Sequence, residues 1–88
     1  MINQHKPYTI DSKTFDGIIK IVYQDDHEFN IVDAKNSLKD LEQITKGKTY
    51  PILKIPGKYS SIDNEARKFI SSPEGMQFSS AEAFVTTF

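Results

Sequence analysis

The chain has no cysteine. That single absence excludes disulfides, thiolate catalysis and cysteine-ligated zinc. Nor is there an excess of charge of either sign, since 11 Lys and Arg stand against 12 Asp and Glu for a formal net charge of −1. The two signs are interspersed, so no basic stripe exists to hold a phosphate backbone, and no nucleic-acid partner is expected. No apolar run approaches membrane-spanning length, and Met1-Ile2-Asn3-Gln4-His5-Lys6-Pro7 lacks the apolar core of a signal peptide. A cytoplasmic protein without a membrane span is the expectation.

Catalytic signatures are missing too. Gly57-Lys58 is followed by Tyr59 in place of Ser or Thr, and no glycine stands five residues upstream, so a nucleotide-binding P-loop fails on both counts. The Gly-x-Ser-x-Gly elbow of serine hydrolases is absent, and the two histidines, His5 and His27, fall in a tail and in an acidic loop. That loop, Gln24-Asp25-Asp26-His27-Glu28, holds carboxylates and an imidazole, but a contiguous polar turn rarely makes ligands converge on a metal. The sequence therefore predicts a protein that is not an enzyme and that uses no cofactor and no metal.

What is present describes one small folded domain over residues 1–88. Hydrophobic residues make up 38% and charged residues 26%, too apolar for disorder. A chain of this length buries only about 60–65% of the surface its unfolded form exposes, so stability will be modest.

Along the chain, Tyr8-Thr9-Ile10-Asp11 alternates apolar and polar. Asp16-Gly17 then offers the positive φ of a type I′ turn, and Ile18-Ile19-Lys20-Ile21-Val22-Tyr23 is β-branched and continuously apolar. A hairpin is predicted, its second arm an inner strand buried on both faces. Ala34, Leu38, Leu41 and Ile44 share one face of a helix capped by Asp33 and stopped at Lys46-Gly47-Lys48. Tyr50 to Ile55 reads as a strand with Pro51 near its start. Ile62, Ala66, Phe69 and Ile70 mark a second helix that stops near Ser71-Ser72-Pro73-Glu74-Gly75. Ser79 with Glu82 resembles a capping box, whereas Phe84-Val85-Thr86-Thr87-Phe88 has strand propensity, and the alternating order favours a strand.

Several segments together resemble a known group. Asp16-Gly17-Ile18-Ile19, Asp33-Ala34-Lys35, Leu41 to Lys48, Tyr50-Pro51-Ile52-Leu53, Glu65-Ala66-Arg67, Ser72-Pro73-Glu74-Gly75 and Ala81 to Val85 are similar, in order, to small bacterial STAS-like proteins of unknown function. These are named after sulfate transporters and anti-sigma-factor antagonists. The resemblance implies an α/β fold with a mixed sheet, an N-terminal hairpin and helices packed on it, in ββαβαβ order, and it implies that Ala81 to Val85 is a strand. Relatives typically continue with a helix, a strand and a last helix, so this sequence is expected to be a C-terminally short version or a fragment. Its last strand would then lack cover, and self-association, as a homodimer or larger homo-oligomer, is expected there.

The candidate site is the loop from Gly57 to Asp63. In the STAS proteins that antagonise anti-sigma factors, a serine at the start of the helix after the central strand is phosphorylated and partner binding is lost. Ser60 and Ser61 fall at the corresponding place, although Tyr59 and Ile62 flank them where the family's run has Asp and Gly. The alternative is that Ser60 caps the helix with Asp63 three residues on. Lys58, Tyr59, Asp63 and Arg67 are the expected partner or anion contacts around the serines, Tyr59 being off both apolar stripes. The leading expectation is a regulatory module that binds another protein through this loop. The second is a small-ligand or lipid-binding module with an apolar pocket lined from the aromatics Phe15, Tyr23, Phe29, Tyr50, Phe69, Phe78, Phe84 and Phe88, although residues at these spacings are more often core, and a small hydrolase ranks third.

Overall fold

Residues 6–13 and 17–85 are described by the computed structural model. In chain order the elements are β1 (Tyr8–Asp11), β2 (Ile19–Tyr23), β3 (Glu28–Phe29), α1 (Ile31–Thr45), β4 (Tyr50–Ile55), β5 (Ser61–Ile62), α2 (Asn64–Ile70) and β6 (Ser79–Phe84). Four strands form one sheet in the order β1-β2-β4-β6, with β1 antiparallel to β2 and the remaining pairs parallel. The other two, β3 and β5, pair in parallel as a small second sheet. The architecture is α/β with a mixed sheet and two helices. Hairpin, helix, strand, helix and strand follow one another as expected, with two short strands inserted.

The hairpin forms, but with a different register. An uninterrupted two-residue turn at Asp16-Gly17 would set Asp11 opposite Val22, whereas the ladder sets it opposite Lys20. Gly17 does take the left-handed conformation, at φ 78°. Thr14, Phe15 and Asp16 lie outside the described residues, as do His5 and Phe88.

Strand register decides what is buried. Ile19 faces Ile52 and Ile21 faces Lys54 across β2 and β4, while Ile52 and Lys54 face Glu82 and Phe84 across β4 and β6. These residues share one side of the sheet, where Ile19, Ile21 and Ile52 meet Ala34, Leu41 and Ala66 of the helices in one core. The expectation that β2 is buried on both faces fails. Lys20 and Val22, on the opposite side, are only half-buried, because both helices lie on the same face.

The cap of helix α1 lies three residues before the expected one. Asn30 is the N-cap, its Oδ1 accepting from the Asp33 amide, and Asp33 is the third helical residue whose carboxylate reaches back to the Asn30 amide at 3.2 Å. The acidic residue completes a capping box instead of opening the helix. Its buried stripe is Ala34, Ser37, Leu41 and Thr45, and Ile44, expected inside, is 38% exposed. The four-residue steps from Ser37 to Leu41 to Thr45 follow the core more closely than the apolar pattern did. Lys46 and Gly47 both take positive φ at the stop.

Pro51 sits in β4, an inner strand, which an unbonded nitrogen ordinarily disfavours. The ladder to β6 slips between Tyr50 and Pro51, so Tyr50 faces Ser79 and Pro51 faces Ala81. The missing donor falls at this irregularity. Strand β6 settles the ambiguity of the C-terminal segment: Ser79 Oγ does reach Glu82, at 2.6 Å, but across an extended strand and not inside a helix.

Candidate functional site

Two loops leave the carboxyl ends of β2 and β4 and are tied to each other. The Asp26 amide donates to the Lys58 carbonyl at 2.8 Å, the Lys58 amide donates to Asp25 Oδ1 at 2.6 Å, and the Ser61 amide donates to the His27 carbonyl at 3.1 Å. Gly57 packs directly on the Gln24-Asp25 backbone. The acidic stretch is thus a clasp for the neighbouring loop, and among the described residues no cluster of His, Asp and Glu is arranged to hold a metal. His27 is itself engaged, its Nε2 2.9 Å from Asp33 Oδ2.

Behind this clasp lies a groove of about 500 Å³. Its sheet wall comes from Tyr23, Pro56, Glu82 and Phe84, at or near the carboxyl ends of the three parallel strands, and its other wall from Phe29, Ile62, Arg67, Ile70 and Met76. Openings at the carboxyl ends of parallel strands are the usual ligand position in α/β sheets. Carbon dominates the surface. Ser60 and Ser61 add hydroxyls to it.

Of the residues expected at the site, Ser60, Ser61 and Arg67 come together at this groove, and Lys58, Tyr59 and Asp63 are not among its lining residues. Neither serine caps the helix. Asp63 is the N-cap of α2, its Oδ1 accepting from the Ala66 amide at 2.8 Å, while Ser60 Oγ donates to the Gly57 carbonyl at 2.8 Å and Ser61 belongs to β5. The β3–β5 pairing extends the loop by three residues beyond the expected helix start. Tyr59 is 79% exposed and takes φ 59°, with Lys58 Nζ 5.3 Å from its ring centre.

An unexpected pair lies between sheet and helices. Lys54 Nζ sits 3.0 Å from Glu82 Oε1, with side chains only 6% and 13% exposed, and Ser79 holds the second carboxylate oxygen. Strand alternation alone puts Lys54 on the side of Ile52, which was a usable signal. Its partner is 28 residues away and needed the register.

Burial, and then the charge of Glu82, push the Tyr23 hydroxyl well above its ordinary value of 10.0. Tyr8, which is buried and donates to Asp40 Oδ2 at 2.6 Å, moves the same way through burial first and the Asp40 bond next. The native state therefore keeps two protons that the unfolded chain releases above pH 10, so stability is fully present below about pH 10 and falls as pH rises beyond it. Urea midpoints measured across this range are expected to drop. Tyrosinate absorbance from Tyr8 and Tyr23 should appear only as the protein unfolds, and early ionisation of both in the folded state would refute the assignment.

Residues 12–88 match a family described as Domain of unknown function (DUF7793). No curated protein and no solved structure matches the chain. No helix among the described residues is long and apolar enough to cross a membrane.

Proposed function

The chain belongs to the DUF7793 family, and from its groove we propose a non-enzymatic, cytoplasmic binding module of STAS-like fold that takes a small, largely apolar ligand. One observation carries the reading: a cavity of about 500 Å³ opens at the carboxyl ends of the parallel strands, lined by carbon and a few polar groups. Volumes of roughly 300–1,000 Å³ with this lining are typical of small-molecule sites. The order of hairpin, helix, strand, helix and strand supports the STAS-like part of the proposal.

Protein docking at the rim is the second reading. It is supported by Tyr59, whose ring stands 79% exposed beside the groove's own serines. A phosphate on Ser60 or Ser61 would then put a dianion on the groove wall and repel an acidic partner.

Organic extraction of the protein from its own cells, followed by mass spectrometry, separates the two. A stoichiometric small molecule is expected. Protein that is empty on extraction, and that also fails to take up an apolar environment-sensitive dye, would remove the ligand reading and leave the rim.

A further inference from the structure

We propose that the groove selects an apolar monocarboxylate, a fatty-acid-like molecule whose carboxylate is held by Arg67 and Ser61 while its hydrocarbon lies against Tyr23, Phe29 and Phe84. This rests on the small-ligand reading above and adds the identity of the head group. The charges around the groove carry the argument. Glu82 has one oxygen on Lys54 at 3.0 Å and the other on Ser79 at 2.6 Å, so it has little left to offer a cationic ligand. His27 is turned onto Asp33. Arg67 remains: it lines the groove from α2, and among the described residues its side chain makes no ion pair or hydrogen bond.

The chemistry of that residue type narrows the occupant. A guanidinium presents a planar fork of donors that fits a carboxylate in two parallel bonds, and its methylene stem extends the apolar wall beneath the charge. Ser61 also lines the groove, and its hydroxyl adds a donor. A carboxylate driven toward the sheet wall would instead meet Glu82, whose two oxygens are already taken and which offers it no donor. Arg67 is exposed, so water already solvates it and the gain from a charge-assisted bond is moderate.

Isothermal titration with decanoate and decanol, equal in chain length and different in head group, tests this on the wild-type protein and on Arg67→Gln. Decanoate is expected to bind about tenfold more tightly than decanol to the wild type. The preference should vanish in Arg67→Gln and shrink as salt is raised. An unchanged thermal midpoint would show that this variant is folded. Equal binding of the two probes to the wild type overturns the carboxylate inference and leaves the ligand reading standing. A preference that survives in Arg67→Gln overturns the role of Arg67. Failure of both probes to bind overturns the ligand reading and this inference with it.

Discussion

Glu82→Met is expected to cost about 3 kcal/mol, a large part of the roughly 5–10 kcal/mol that holds a domain of this size together. The cost comes from what is left behind. Lys54 is 5% exposed on the helix-covered face of the sheet, and without the carboxylate its ammonium keeps, among the described residues, only the Phe84 ring, 5.5 Å from Nζ. An uncompensated charge in that position loses hydration and regains almost nothing. Lys54→Met, leaving the carboxylate with Ser79 alone, should be damaging for the same reason. The double variant Lys54→Met with Glu82→Met should recover most of the loss, because desolvating two ions offsets most of what their attraction returns. Urea unfolding of the wild type, both single variants and the double closes a double-mutant cycle. A single variant that costs under about 1 kcal/mol would mean that water reaches the pair.

Much of the fold was legible because its signals are local. The strand at Tyr50 to Ile55 has the observed bounds, set by an apolar run ending at Pro56-Gly57. The long helix was visible in its periodicity and in its glycine stop. Most of the errors share one cause, which is that the deciding partner is distant in sequence; the cap of α1 is the exception. Asp33 looked like a cap, since a cap and the third residue of a capping box are both acidic or polar and only the backbone tells them apart. Ser60 and Ser61 looked like a helix start because the two-residue strand that captures Ser61 is Glu28–Phe29, over thirty positions earlier. The groove was legible only in fragments. Ser60, Ser61 and Arg67 were singled out around the loop, and Tyr23, Phe29 and Phe84 stood only within a wider set of aromatics, because they and Met76 reach the groove from four separate segments that no spacing connects.

The clasp beside the groove depends on a close backbone approach at Gly57, and Gly57→Ala is expected to break it. A Cβ at Gly57 would meet the Gln24 carbonyl oxygen and lie 2.5 Å from its carbon and 2.7 Å from the Asp25 nitrogen. Those are backbone atoms, so no side chain can swing aside to make room. The loop must lift away, and with it go the bonds between Asp26 and Lys58 and between Lys58 and Asp25. We expect a loss of about 3 kcal/mol from this overpacking, with no share from backbone strain, because Gly57 does not take a positive φ. Gly47→Ala is the matched control. Its Cβ meets nothing within 4 Å, but its φ of 84° is unfavourable to a side chain, so the cost there is about 1 kcal/mol and confined to the end of α1. The two variants should therefore differ in kind as well as in size. Amide hydrogen exchange in Gly57→Ala should quicken at Asp26, Lys58 and Ser61, and dye or decanoate binding should weaken in parallel, while Gly47→Ala keeps both. Slow exchange at those three amides in a destabilised Gly57→Ala protein would show that the loops do not act as a clasp, and that the groove is held open by the sheet and α2 alone.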